Sequence, residues 1–207
     1  MNRIIISFAI VMITSAAVAQ TSTKNSLNFG NPILIDSASM LLIPTIYEVS
    51  MFTSNKLAFW GNYYSNIIFY NFKTDVSKRL FAKDTYIVSL EKADYRYDAV
   101  PKLDKTSTNQ WIFYKVLNVD RNRNNKIDDE DPTVLYVSDT HGDNLKALTS
   151  EEENVKSFQM YEKQNIALVK IQRDMNKDGK FTDKDTDFYF IKLDLTTLAF
   201  GSKIEMN

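Results

Sequence analysis

Three runs of strand-forming residues recur along this chain at a nearly fixed interval, and such a repeat restricts the fold more than any other feature. The first contains Leu57-Ala58-Phe59-Trp60, Ile67-Ile68-Phe69-Tyr70-Asn71-Phe72 and Lys78-Arg79-Leu80-Phe81. The second contains Trp111-Ile112-Phe113-Tyr114, Val134-Leu135-Tyr136-Val137 and Leu145-Lys146-Ala147-Leu148. The third contains Ile166-Ala167-Leu168-Val169, Phe188-Tyr189-Phe190-Ile191 and Ala199-Phe200-Gly201-Ser202-Lys203-Ile204. Leu57, Trp111 and Ile166 are evenly spaced to within a single position, and Val134 and Phe188 stand the same distance apart as Leu57 and Trp111. Each unit reads as strand, connection, strand, polar turn, short strand. The turns fall at Thr74-Asp75, Thr140-His141-Gly142-Asp143 and Thr196-Thr197. A further strand is expected ahead of each unit, at Thr45 to Phe52, Tyr95 to Val100 and Val155 to Tyr161. The 11 Tyr and 13 Phe favour strands. Beyond the N-terminal segment no long apolar run has helical spacing.

Four antiparallel strands per unit is the build of a propeller blade. The expected fold is therefore all-β, with antiparallel sheets in propeller-blade-like repeats; a β-sandwich is the competing all-β arrangement. The stretch Leu135 to Thr149, "LYVSDTHGDNLKALT", resembles the TolB-like β-propeller repeat. In that family an aromatic-rich strand ends in a small polar turn bearing Asp and Gly, and a short strand ending Leu-Thr follows. The family's fuller first-strand signature, with its Pro, Trp and Ser-Pro-Asp-Gly elements, is absent here. Closed propellers have about four to eight blades. Three units are evident, with Asn31 to Leu42 as a candidate partial blade. That piece closes a small ring, or two chains close one as a homodimer, or the sheets stack as an open array.

Residues 1–19 read as a secretory signal peptide. Arg3 is the only charged side chain before Lys24, an apolar run covers Ile4 to Ile13, and Ala17-Val18-Ala19 forms a small-x-small cleavage site before Gln20. The run is shorter than the roughly 20 residues that span a membrane, so no membrane span is expected after cleavage. The expected location is secreted or periplasmic. Residues 20–207 form a single domain, with units at about 45–82, 95–149 and 155–205. The chain has no Cys, so an exported form has no disulfides to rely on. Removing Arg3 from the 25 basic residues leaves 24 against 26 acidic ones, a net charge near −2. That balance gives no footing for nucleic acid.

Two segments carry the spacing of a calcium loop. In "DMNKDGKFTDKD", Asp174, Asn176 and Asp178 place side-chain oxygens at positions one, three and five. Lys180 offers its carbonyl at seven, Thr182 stands at nine where a water commonly intervenes, and Asp185 stands at twelve. Ca²⁺ takes about six to eight oxygen ligands, and this pattern supplies them. Gly179 at six permits a turn at positive φ, and Phe181 at eight fits an apolar anchor. In "DRNRNNKIDDED", one repeat upstream, the same positions hold Asp120, Asn122, Asn124, Lys126, Asp128 and Asp131, with Ile127 at eight. Asn125 replaces Gly at six; Asn is the next most tolerant residue there. With two amides among its first three ligands, this loop is expected to bind more weakly. At these positions both loops resemble EF-hand and dockerin loops. The residues on either side are strand-like, so each loop is expected at a hairpin tip. The first unit is expected to lack a loop there, crossing instead by Gly61 to Asn66. Asn and Asp are also ordinary turn residues.

Other chemistry finds less support. There is no P-loop, dinucleotide fingerprint, His-Glu-x-x-His or Gly-x-Ser-x-Gly. The single His, His141, is expected in an exposed turn. Carboxylates outside the loops include Asp36, Glu48, Asp94, Asp98 and Asp139, and a facing pair would permit glycoside chemistry. Phe59-Trp60-Gly61-Asn62-Tyr63-Tyr64 reads mainly as core, with Tyr63 and Tyr64 the better surface candidates for stacking on a sugar or peptide. The first functional reading is an exported binding or interaction module for a protein or carbohydrate, with structural calcium. An extracellular polymer-processing enzyme using carboxylates and a dockerin-like docking module are the alternatives.

Overall fold

The structure, a computed structural model, describes residues 27–35, 38–47, 63–91 and 110–206. These residues build three antiparallel meanders in chain order. The first comprises β1 (Leu27–Phe29), β2 (Ile33–Ile35), β3 (Met40–Tyr47), β4 (Tyr64–Asn71) and β5 (Val76–Arg79). The second comprises β6 (Tyr86–Glu91), β7 (Trp111–Leu117), β8 (Val134–Asp139) and β9 (Lys146–Ala147). The third comprises β10 (Glu153–Tyr161), β11 (Ile166–Arg173), β12 (Phe188–Asp194) and β13 (Phe200–Glu205).

Strands β1 and β2 act as one interrupted first strand. Both lie along the same edge of β3, with Leu27 opposite Tyr47 and Ile33 opposite Leu42. The interruption has a chemical cause. Within a strand a residue's N–H and C=O point the same way, and the Pro44 carbonyl accepts the Gly30 N–H at 2.8 Å. The donor that Pro44 lacks therefore faces this edge, and the ladder breaks there. Each meander thus holds four strand positions in sequential order, β10-β11-β12-β13 being the uninterrupted case. A single pair, Tyr64 opposite Ile87, joins the first meander to the second. No Greek-key crossover occurs among the described strands, so the sheets are stacked meanders and not the crossed connections of a sandwich. The chain is all-β with antiparallel sheets, as its composition and patterning imply.

The meanders pack face on face. Met40, Leu42, Ile67 and Phe69 of the first are buried with Ile112, Tyr114 and Val116 of the second. Phe113, Leu135 and Val137, on the second unit's other face, are buried with Ala167, Val169 and Ile171 of the third. Strand β7 is consequently apolar on both sides, and its sequence WIFYKVL shows no clean alternation. Strand β11, IALVKIQR, alternates in burial from Ile166 to Ile171.

The first unit differs from its sequence reading. The strand paired with β4 is β3, Met40 to Tyr47, while Leu57-Ala58-Phe59-Trp60 lies outside the described residues. Asn31 to Leu42 contributes β2 and the start of β3 to this unit and is no separate partial blade. The strand ahead of β7 is β6, Tyr86 to Glu91; Tyr95 to Val100 lies outside the described residues. Matching hydrogen bonds show the consequence for the interval. Leu80 N–H donates to Ile67 O, and Leu148 N–H donates to Leu135 O. Ile67 therefore corresponds to Leu135, and the first interval is longer than the one from Val134 to Phe188. The surplus falls in residues 92–110, between β6 and β7, where the third unit needs only 162–165. The connection from β3 to β4 spans residues 48–63, as long as the 118–133 connection of the second unit. The expected short crossing at Gly61 to Asn66 is therefore corrected.

Each turn after a third strand is capped by an Asn or Asp at that strand's end. Asn71 Oδ1 accepts the Lys73 and Thr74 N–H groups. Asp139 Oδ1 accepts those of His141 and Asp143. Asp194 Oδ1 accepts those of Thr196 and Thr197. These Asx turns satisfy donors that the sheet leaves open. The second such turn also stacks the units. Gly142, at φ 75°, lies against Phe69, and Asp143 pairs with Lys78 of the first unit.

Candidate functional site

The Asp120–Asp131 and Asp174–Asp185 loops connect β7 to β8 and β11 to β12, at corresponding tips of the second and third units. Five of their internal backbone hydrogen bonds recur at matching positions, with Asp120 in the place of Asp174. Asn125 N–H donates to Asp120 Oδ2 at 2.9 Å, and Gly179 N–H to Asp174 Oδ2 at 2.9 Å. Asn124 N–H donates to Asn122 Oδ1, and Asp178 N–H to Asn176 Oδ1. Lys126 N–H donates to Asn124 Oδ1, and Lys180 N–H to Asp178 Oδ1. At position twelve, Asp131 accepts the N–H groups of Arg121 and Asp128, and Asp185 accepts those of Met175 and Thr182. Two residues in each loop turn left-handed, Arg123 (φ 58°) with Asn125 (φ 65°), and Lys177 (φ 60°) with Gly179 (φ 78°). Asn125 thus adopts the turn that Gly179 adopts.

Asp131 and Asp185 are both 2% exposed. Burial raises the Asp131 carboxyl above its ordinary range, against the opposing pull of backbone N–H groups. Asp178 is held below its ordinary range, chiefly by the Lys180 N–H and the Asn176 amide. Asp174 Oδ1 is buried and accepts no hydrogen bond, while in the upstream loop the buried atoms without a partner are the nitrogens Arg121 Nε and Asn122 Nδ2. Both Asp120 oxygens are engaged, by the N–H groups of Asn124 and Asn125. Among the described residues no three His, Cys, Asp or Glu side chains converge as a metal cluster. The donors in these loops are mixed carboxylate, amide and carbonyl, the oxygen set suited to a hard cation. Asp174, with its open oxygen, makes the downstream loop the better fit.

The two loops touch. Phe181 N–H donates to Glu130 O at 2.8 Å, and Lys180 Nζ donates to Glu130 Oε2 at 2.7 Å. A Cβ on Gly179 would stand 3.2 Å from Arg121 O. Phe181 is 4% exposed. Behind the loops runs a buried amide chain. Asn154 Oδ1 accepts the Thr133 N–H, Asn154 Nδ2 donates to Gln172 Oε1, and Gln172 Nε2 donates to the carbonyls of Thr182 and Asp185. A shallow cleft of about 190 Å³ opens beside the upstream loop, lined by Tyr63, Lys115, Asp129, Asp131, Asn154 and Lys156.

The loop spacing did not point to Glu130, Asn154 or Gln172. Glu130 is an acid at an unassigned loop position, and the amides lie on strands, so neither carried a signal. Of the other candidates, His141 is exposed in its turn. Asp139 caps that turn, while Asp36, Glu48, Asp94 and Asp98 lie outside the described residues. Tyr64 begins β4 and packs against the first core. Tyr63 meets Tyr86 edge-on, with ring centroids 6.3 Å apart, and borders the cleft. Phe59, Trp60, Gly61 and Asn62 lie outside the described residues. The loops are followed by strands β8 and β12, where a dockerin-like arrangement would have helices.

No protein-family model and no curated protein sequence matches this chain. Among solved structures it is similar to an oligogalacturonate lyase in complex with manganese, at 12% identity and a TM-score of 0.43. The match covers 86% of this chain and 41% of that one, less than half its length.

Proposed function

We propose that this is an exported, calcium-binding, β-propeller-like binding or interaction protein in which the metal is structural. One observation carries the reading. Two loops with the ligand spacing of a calcium site share most of one hydrogen-bonding scheme, and Asp174 keeps a buried oxygen without a partner. Asp174, Asn176, Asp178, the Lys180 carbonyl, Thr182 and Asp185 would hold one ion. Asp120, Asn122, Asn124, the Lys126 carbonyl, Asp128 and Asp131 would hold the second, more weakly. Bound calcium supplies a charge that offsets the carboxylates crowded into each tip. A sensor EF-hand acts by swinging helices. These loops are each held by two strands, so the ion fixes them in place, a role that disulfides fill in other exported chains.

Export is supported by the signal-peptide pattern of residues 1–19. The partner is a protein or carbohydrate, met at the surface of the stacked units. Calorimetric titration of the exported chain with Ca²⁺ tests the metal reading. Two sites are expected, with dissociation constants of about 10⁻⁴–10⁻³ M or somewhat tighter, and Asp174→Ala should remove the tighter one. Absence of binding at about ten times that concentration rejects the reading. N-terminal sequencing of the exported protein should give Gln20 first; a start at Met1 rejects signal cleavage.

A further inference from the structure

We propose that the two loops form a cation-dependent clasp between the second and third units, in which filling one loop is felt by the other through Glu130. The proposal rests on the calcium reading above and concerns what the ion does once bound. The contact joins the ligand-bearing ends of both loops. Phe181, which donates to Glu130 O at 2.8 Å, directly follows Lys180, whose carbonyl stands at position seven. Glu130 directly precedes Asp131, the carboxylate at position twelve. The Lys180 carbonyl and the Phe181 N–H thus share one peptide unit, and the Glu130 carbonyl belongs to the peptide unit that leads into Asp131. The Glu130 side chain closes the contact a second time on Lys180 Nζ, at 2.7 Å. Gly179 completes it by letting the backbones approach, since a Cβ would stand 3.2 Å from Arg121 O.

A second bridge crosses the same junction. Arg121, within the upstream loop, pairs with Glu152 at the entry to β10. The Asn154–Gln172 chain ties Thr133, just after the upstream loop, to the carbonyls of Thr182 and Asp185 in the downstream one. Each loop is thus held by its own unit and by its neighbour's loop. An ion that fixes the Lys180 carbonyl also fixes the Phe181 N–H, and so holds Glu130 and Asp131 in place. Linkage makes the effect reciprocal.

The test combines calcium titration with amide hydrogen exchange on the exported chain. In the parent, calcium should slow exchange in both loops and along β8 and β10, and the two sites should bind with positive cooperativity. Asp174→Ala should weaken the upstream site about fivefold or more. Glu130→Gln, which leaves every ligand in place, should lower the cooperativity while both sites still bind. Unchanged upstream affinity in Asp174→Ala, with calcium still protecting the upstream loop alone, overturns the clasp and leaves the calcium reading intact. No calcium binding by the parent overturns both. Should Asp174→Ala fail to fold, Asp178→Ala decides: an upstream site that binds as tightly as in the parent overturns the clasp.

Discussion

Gly142 lies so close to Phe69 that a Cβ on it would approach the ring to 2.7 Å. The contact joins the turn after β8 to the core of the preceding unit, and Phe69 is fully buried there. It gives the Gly of the "DTHGD" turn a physical role. The residue takes φ 75° and leaves room for an aromatic ring below it. Gly142→Ala has to overcome both restrictions. We expect it to cost about 1–3 kcal/mol, measured as a lowered urea midpoint with an unchanged slope. Phe69→Leu in the same background should recover part of the loss by opening space. A neutral Gly142→Ala would show that the turn does not pack on the first unit.

How the turn and the loops were legible has a common explanation. Both are set by local chemistry: an Asn or Asp accepting a backbone N–H two residues on, or a residue at positive φ. The turn from Asp174 to Asp185 was legible because its side chains accept backbone N–H groups a fixed distance along the chain. The first unit could not be placed this way. Met40–Tyr47 and Leu57–Trp60 are both apolar runs that suit a strand, and period-two patterning does not say which one pairs with Ile67–Phe72. The regular spacing of the later units favoured Leu57–Trp60, but the 92–110 connection lengthens the first interval and the pairing goes to β3. The Glu130–Phe181 contact was beyond reach for another reason. It arises when two sheets stack, and nothing local at either residue encodes it.

Phe181 tests whether the downstream loop is anchored as its eighth position implies. The side chain is 4% exposed in a segment otherwise rich in polar groups. Phe181→Ala should cost about 3 kcal/mol and weaken calcium binding in the same loop, because the Lys180 carbonyl loses its neighbour's anchor. Phe181→Leu should retain most of both. Chemical denaturation with and without Ca²⁺ reads the two effects separately. Equal behaviour of the Ala and Leu variants would mean that the ring is not an anchor.

Asn154 and Gln172 are both buried, at 5% and 2% exposure. Gln172→Leu would leave the Thr182 and Asp185 carbonyls without their donor, and Asn154 Nδ2 without its acceptor. A cost of about 1–3 kcal/mol is expected. Asn154→Ala strands the Thr133 N–H and should cost a similar amount. Because the residues share one hydrogen bond at 2.9 Å, the double variant should lose less than the two single losses together. A double-variant cycle by urea denaturation measures this coupling; strict additivity would show that the amide chain does not act as a unit.

Asp139 supplies a pH signature for the second unit. Burial works against its ionisation, but the N–H groups of Asp143 and His141 and the Asn144 amide outweigh it and hold the carboxyl below its ordinary value. Its folded value is thus depressed, so its contribution to stability is fully present above the unfolded value and is lost as pH falls through the lower folded one. A carboxyl NMR titration should place Asp139 below an unstructured aspartate. Asp139→Ala should cost about 1 kcal/mol at neutral pH. Asp139→Asn keeps one acceptor oxygen but does not titrate, so its stability curve should be flatter in the acid window between the unfolded and folded values. An ordinary titration midpoint for Asp139, or an unaltered acid limb in Asp139→Asn, would mean that the turn does not draw on the charge of its capping residue.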